Sequence, residues 1–211
     1  LEIIYFDVID STQSYLINEL EAKRLKAPIA ILASQQTNGI GSRDNQWVSE
    51  EGNFFASFAM PLSYLPDDLK LASASIYFGF LMSEILKDIN SAVWLKWPND
   101  IYIAENKIAG VITKKIDNYL VCGIGINLVG LPGGHMSLEA EIEPLGLLKA
   151  YLKNISKFPK WKQVFSKVQL EFHKSKSYYL NIEKYQDVIE DAVLSNDGSL
   201  IINGEKVYSL R

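Results

Sequence analysis

Apolar side chains at Ile3, Tyr5 and then Val8 alternate as the face of a strand does, and Asp10-Ser11-Thr12 supplies capping oxygens for a helix carrying Tyr15, Leu16 and Leu20 on one side. The first loop therefore falls at residues 9–12. A short apolar run at 28–34 predicts a second strand. It feeds QQTNGIGSRDNQW (Gln35 to Trp47), whose glycines and asparagines suit neither regular element and predict a long loop. A strand returns at 53–60, and 67–89 reads as a long, mostly buried helix. Three more strands are expected near 92–97, 107–114 and 119–126, with a short strand before the second and Glu105-Asn106 as the turn that joins them. The sheet is thus expected to be largely antiparallel. Apolar residues at helical spacing predict helices over 145–155 and 160–179, the latter on Trp161, Val164, Phe165, Val168 and Phe172. The last 21 residues, 191–211, change to three short β runs separated by Asp197-Gly198 and Asn203-Gly204, both dipeptides that favour tight turns.

A chain of 211 residues, 48% hydrophobic and 22% charged, can bury one substantial core and carry a small appendage. The expected division is a main domain over 1–180 and a small β domain over 181–211. The longest apolar run, around 71–81, is interrupted by serines and falls short of the ~20 apolar residues of a membrane span. No membrane association is expected. Residues 1–10 lack the basic start and small-residue cleavage site of a secretory signal. The single cysteine, Cys122, excludes an internal disulfide, fits a reducing compartment and has the apolar neighbours of a core thiol. A cytoplasmic location is the expectation. A net charge of −4 without any long basic run argues against stable binding to nucleic acid.

Three segments can carry chemistry. Gly39-Ile40-Gly41 lets a ligand approach closely and offers N–H groups to an anion. It lacks the ending of a P-loop, and Asp44 stands where a dinucleotide fingerprint needs its third glycine. On its residues alone it reads equally as a flexible surface loop. In Lys96-Trp97-Pro98-Asn99-Asp100, the proline stops one strand and lets Asn99 and Asp100 project from a turn, while Lys107-Ile108-Ala109-Gly110 follows after the short strand. Two lysines and a carboxylate are drawn together. Such charges in an apolar segment are costly unless they pair or meet a charged ligand. A structural salt bridge explains one pair and explains the whole spacing less well. In Gly123-Ile124-Gly125-Ile126-Asn127-Leu128, glycines inside a strand mark either a bulge or another backbone or a ligand lying against it. With a ligand there, Asn127 offers its amide to it.

These segments, in this order, resemble the biotin–protein ligase family over roughly residues 5–130, with a weaker match through the later helices and tail. The most specific piece is KWPNDIYIAENKIAG, joined by Asp10-Ser11-Thr12, the loop from Gln36 to Trp47, and GIGINL. The resemblance implies an α+β fold: a mixed, mainly antiparallel sheet backed by helices, the class II synthetase-like catalytic fold of biotin and lipoate ligases, with a short SH3-like β appendage at the C-terminus. It implies a monofunctional ligase that joins biotin to the α-phosphate of ATP, with Mg²⁺, and releases pyrophosphate. The biotinyl group of biotinyl-5′-AMP then passes to a lysine of the biotin carboxyl carrier protein of acetyl-CoA carboxylase. The ligands of the magnesium ion stay unassigned.

Residue by residue, the resemblance gives Lys107 the task of stabilising negative charge between carboxylate and α-phosphate, and Asp100 that of orienting or deprotonating the incoming lysine. It implies a biotin pocket of Ser11, Thr12, Gln13, Gln36, Gly39 and Gly41, with Lys107, Gly110 and Gly123. Trp47 is expected against the adenine, and Ser42, Lys96, Asn99 and Asn127 about the nucleotide. The loop departs from the family's usual G-R-G-R, because Ile40 and Ser42 replace both arginines. Either Arg43, one residue later, has taken over the charge and a catalytic role, or the adenylate is held less tightly. Gln13 stands where asparagine is common, and the tail is short for an SH3-like domain. His135 and His173 match no catalytic position and read as surface or packing residues.

Three other readings compete with this one. A lipoate ligase or octanoyltransferase of the same fold would need a glycine-rich arginine motif that the chain lacks. A biotin-operon repressor would need a helix-turn-helix domain ahead of the first strand, where no room is expected, so DNA is not an expected partner. A non-catalytic biotin-binding relative stays open, given Ile40 and Ser42. Monomer and homodimer both remain possible.

Overall fold

The computed structural model describes residues 1–42, 45–130, 137–140 and 142–210. Arg43, Asp44 and His135 lie outside the described residues. Seven strands form one sheet: β1 (Glu2–Ile9), β2 (Ile29–Gln36), β3 (Phe54–Pro61), β4 (Val93–Lys96), β5 (Asp100–Ile103), β6 (Asn106–Ile116) and β7 (Tyr119–Ile126). Their order is β1-β2-β3-β7-β6-β5-β4. All neighbours run antiparallel except β1 and β2, which are parallel. A parallel pair needs a crossover, and α1 (Thr12–Glu21) supplies it. The sheet is therefore mixed and mainly antiparallel, as expected.

The two faces of the sheet are covered unequally. Phe54, Ala56 and Phe58 of β3, with Cys122, Ile124 and Ile126 of β7, belong to a large apolar cluster shared with α2 (Ala74–Lys87), α3 (Pro144–Ile155) and α4 (Trp161–Leu180). Alternation turns the intervening residues to the opposite face. There Ala59 and Val121 join Ile29, Ile31 and the Leu16 and Leu20 side chains of α1 in a smaller cluster. Farther along the same face the residues shrink to Ser57, Gly123 and Gly125, and this is where a cavity forms.

Three expectations need correction. The turn expected at Glu105-Asn106 is Ala104-Glu105, because Asn106, already in β6, pairs with Ile103, and Ala104 takes the positive φ of +49°. The helix expected over 67–89 is α2 alone, and the chain before it makes two single 3₁₀ turns at Leu62–Tyr64 and Leu71–Ser73. Asp68 accounts for part of the shortening, since aspartate competes for backbone donors. Both carboxylate oxygens of Asp68 instead accept the N–H groups of Trp161 and Lys162, at 2.9 and 3.0 Å, at the start of α4. The loop expected from Gln35 is also shorter, because β2 runs through Gln36 along the parallel register with β1.

The tail forms a separate sheet of β8 (Val193–Leu194), β9 (Leu200–Ile202) and β10 (Glu205–Val207), after a short helix α5 (Gln186–Ile189). Asn203 and Gly204 both have positive φ, +52° and +82°, the requirement of the two-residue turn read from the sequence. Leu194, Leu200 and Leu210 lie in the large cluster of the main body. Among the described residues no helix is long and apolar enough to cross a membrane.

Asp197 fastens this sheet. Its nearly buried carboxylate accepts from Lys206 at 2.6 Å, Ser199 Oγ at 2.6 Å and Lys70 at 3.2 Å. Burial by itself would raise its pKa, but the bonds from Lys206, Ser199 and Lys70 outweigh that and hold the carboxyl far below its ordinary range. A carboxyl depressed on folding gives stability that is whole above the unfolded value of 3.8 and is lost as pH falls below it. Asp197→Asn is therefore expected to melt lower than the parent at neutral pH, with the gap closing from about pH 4 downward. A gap that stays constant on acidification, in melting curves, would refute this.

Candidate active site

The reactive charges are assembled by strand pairing. Asp100 opens β5 and faces Lys96 of β4 across a three-residue connection, Trp97-Pro98-Asn99. Strict alternation would put Lys107 and Gly110 of β6 on opposite faces, because they are three residues apart. A bulge intervenes: Asp100 pairs with Gly110 and Ile101 with Ala109, yet Tyr102 pairs with Lys107. The extra residue turns Lys107 to the side that Asp100 and Gly110 occupy, the kind of re-aiming that bulges provide. Lys107 Nζ then lies 2.6 Å from one oxygen of Asp100, and Lys96 Nζ 3.6 Å from the other.

The two lysines differ in setting. Lys107 is 37% exposed in its side chain and sits 5.5 Å over the Trp47 ring. Lys96 is nearly buried, with its ammonium 4.9 Å from the rings of Tyr102, Tyr178 and Tyr179. Burial holds the Lys96 pKa below its ordinary value, Asp100 opposes the shift, and the charge of Lys107 adds to it.

A cavity of about 280 Å³ opens above Asp100 and Lys107. Its far end is a chain of polar groups. Thr12 donates through N and Oγ1 to Gln36 Oε1, at 2.8 and 3.1 Å, and its hydroxyl meets Ser57 Oγ at 2.9 Å. Gln36 Nε2 in turn donates to Ser49 Oγ at 3.1 Å. The Ser11 hydroxyl caps α1 by accepting from Ser14 N, which brings the first turn of that helix to the cavity wall. Asn99 is pinned from β6: its Nδ2 donates to the Val111 carbonyl at 2.7 Å and its own carbonyl accepts from Val111 N at 2.9 Å.

Two buried polar atoms on this wall, Gln13 Oε1 and Trp47 Nε1, have no hydrogen-bond partner among the described residues. Each lies over a glycine of β7. A Cβ at Gly123 would come within 1.8 Å of Gln13 Oε1, and one at Gly125 within 2.5 Å of the Trp47 indole. The glycines thus make room for an acceptor and a donor that are buried and still available, an arrangement that a polar ligand would complete. Gly123→Ala should push the Gln13 amide aside rather than unfold the strand. We expect about a tenfold loss of ligand affinity by calorimetry, or roughly 1.4 kcal/mol, with little change in melting temperature. Unchanged affinity would remove Gln13 from the site.

Of the residues singled out in the sequence, the cavity is lined by Ser11, Thr12, Gln13, Gln36, Gly41, Ser42 and Trp47 from the N-terminal half. Asn99, Asp100, Lys107, Gly110, Gly123 and Asn127 line it from the later strands. Gly39 lies behind this wall, against Gln36 and the Trp47 carbonyl. Lys96 faces a neighbouring cleft. The loop itself is partly ordered by pairing: Ile40 bridges to Gln46, and Trp47 N donates to the Gly39 carbonyl at 2.8 Å. Sequence reasoning missed Ser57 and did not assign Gly125 to the site; the only polar residue inside FFASFAM was the available sign of the former. His173 is exposed on α4, away from the cavity, and Cys122 is buried with its thiol pKa pushed up by burial.

Among the described residues no three His, Cys, Asp or Glu side chains gather as a metal site. Among the described residues the cavity offers one carboxylate, Asp100, with the amides of Asn99 and Asn127. That donor set fits a magnesium ion carried mostly by phosphate oxygens and water.

Comparison with known proteins agrees with this fold. The structure of the biotin acetyl coenzyme A carboxylase synthetase of Helicobacter pylori, with bound biotinylated ATP, superposes with a TM-score of 0.88 and 37% identity, covering 97% of this chain and 98% of that one. The bifunctional ligase/repressor BirA of Escherichia coli (strain K12) is 33% identical over 128 residues, 57% of this chain and 39% of that protein. The biotin–[acetyl-CoA-carboxylase] ligase of Paracoccus denitrificans is 29% identical over 114 residues, 48% of this chain and 45% of that protein. These alignments span less than half the length of either curated relative. Residues 5–128, more than half of the chain, match the biotin/lipoate A/B protein ligase family, and the chain belongs to that family.

Proposed function

We propose that this protein is a biotin–protein ligase, forming biotinyl-5′-AMP from biotin and ATP and transferring biotin to a lysine of the biotin carboxyl carrier protein of acetyl-CoA carboxylase. The observation that carries the reading is the Lys107–Asp100 pair, 2.6 Å apart, at one end of a cavity whose other end is the Gln36–Thr12–Ser57 hydrogen-bond chain. The polar end suits a ureido ring, with Gln13 Oε1 as acceptor for a ring N–H and apolar walls such as Val48 and Ile112 for the thiophane and the valeryl chain. The dithiolane of lipoate offers nothing to those amides and hydroxyls, which favours biotin over the lipoate alternative.

Bringing a carboxylate against a polyphosphate is opposed by like charge. The ammonium of Lys107 touches the place where the two must meet, and stabilises the negative charge that builds up on the α-phosphate. Magnesium supplies further charge neutralisation on the phosphates when ATP is bound. Trp47 provides a flat apolar surface for adenine, with Asn127 nearby. Asp100 orients the acceptor amine for the second step. Residues 1–180 form the catalytic body in this reading, and 181–211 an appended β unit.

Labelled biotin, magnesium-ATP and an apo carrier domain test the proposal together. Label is expected on the carrier lysine, and only with ATP present. Absence of label on a carrier that an established ligase modifies would sink the reading. Adenylate formed without transfer would leave only the binding and activation half.

A further inference from the structure

Lys96 of β4 and Lys107 of β6 reach the same carboxylate, Asp100, from opposite sides of β5. Among the described residues, Asp100 and Lys107 line the first cavity, whereas Lys96 lines a second cleft of about 450 Å³ with Tyr178, Tyr185 and Tyr208. Asp100 borders both. The carboxylate is thus the contact through which Lys96 acts on the first cavity.

An aromatic scaffold holds the Lys96 ammonium. Its nitrogen lies 4.9 Å from the ring centres of Tyr102, Tyr178 and Tyr179, and the residue is 8% exposed. Those rings are themselves braced. Tyr102 and Tyr178 meet edge to face at 5.3 Å, Tyr178 and Tyr179 at 5.7 Å, and the Tyr179 hydroxyl donates to the Trp97 carbonyl at 2.8 Å. Three electron-rich faces around one nitrogen fix a charge that the flexible stem of a lysine would otherwise let wander. Lys107 is held more loosely, with its side chain 37% exposed and its nitrogen 5.5 Å over the Trp47 ring.

The ligase reading asks two things of Lys107: an ion pair with Asp100 in the resting site, and stabilisation of charge on the α-phosphate once biotin and ATP are bound. An ammonium committed to one carboxylate is slow to serve another anion. Resting on that reading, we propose that Lys96 is a positioning residue, whose caged ammonium keeps Asp100 compensated and in place so that Lys107 can leave the carboxylate for the phosphate. Asp100 then does not follow Lys107 toward the phosphate, where like charge would oppose the reaction. Nor does it stand as an uncompensated, largely buried anion.

Pyrophosphate release in a single turnover, with biotin and magnesium-ATP and without carrier, tests the proposal. Lys96→Met keeps the length and removes the charge, which leaves Asp100 to Lys107 alone. Release is expected to slow about tenfold, while the ATP concentration for half-maximal rate moves less than about twofold. In an Asp100→Asn background, where Lys107 has no carboxylate to leave, Lys96→Met should change the rate by less than about twofold. Tyr178→Leu opens the cage and should slow release about threefold or more, and Tyr178→Phe, which keeps the ring, should recover most of that loss. This second pair decides the matter if Lys96→Met does not fold. Equal slowing by Lys96→Met in both backgrounds would make its role structural, and a raised ATP requirement at an unchanged maximal rate would make it a nucleotide ligand. Either result overturns the proposal, as does release at the parent rate. A parent protein that releases no pyrophosphate from biotin and ATP would instead overturn the ligase reading beneath it.

Discussion

Lys107→Ala is expected to cut pyrophosphate release by about 10²–10³-fold, or roughly 2.7–4 kcal/mol, the scale of losing one charge-stabilising donor from a preorganised site. The side chain is 37% exposed and its pair with Asp100 is partly open to water, so folding should hardly register the change. Asp100 keeps Lys96 at 3.6 Å, which spares it from becoming an unpaired charge. The biotin and ATP affinities should therefore fall less than the rate. Pyrophosphate exchange, run beside a melting curve, checks both halves. Normal exchange in a folded variant would exclude Lys107 from the chemistry, and a collapsed melting temperature would show that its role is structural.

The sequence revealed the parts of this site that rest on local signals. Proline and a turn expected at Glu105-Asn106, which forms one residue earlier at Ala104-Glu105, placed Lys96, Asp100 and Lys107 in adjacent strands, and those three do meet. Glycines in β7 announced a close approach, and Gln13 and Trp47 are what approach. The bulge between Ile101 and Tyr102 left no comparable sign, because a period of two predicts Lys107 and Gly110 on opposite faces and only the paired register shows otherwise. Nor could sequence show that Tyr178, Tyr185 and Tyr208 line one cleft: they lie on α4, in the turn before α5 and after β10, and converge only through packing. The start of α2 was misplaced for a related reason. Asp68 serves the end of a helix 93 residues away, a partner that no local window contains.

Trp97→Ala should be the most destabilising single change within the central motif. KWPND contributes two kinds of residue, and Trp97 is of the structural kind: 1% exposed, it turns away from the cavity into the large cluster. Its indole N–H donates to the Gly198 carbonyl at 2.8 Å, its backbone N–H to Ser175 Oγ at 2.9 Å, and its carbonyl accepts from Tyr179 at 2.8 Å. The motif is thereby tied to α4 and to the small terminal sheet at once. Truncation opens a cavity of indole size and strands a buried carbonyl, at a cost of about 3–5 kcal/mol. For a chain of this length that lowers the melting temperature by on the order of 10 °C. Trp97→Phe refills much of the volume without the donor and should recover most of the loss. The catalytic consequence follows from position. Asp100 is three residues away, so a loosened Trp97 lets the carboxylate drift from Lys107, and transfer should weaken even at temperatures where the variant is folded. If Trp97→Ala melts with the parent, the anchor lies elsewhere; if it melts low but transfers at the parent rate when cold, the motif's structural and catalytic residues are independent of each other.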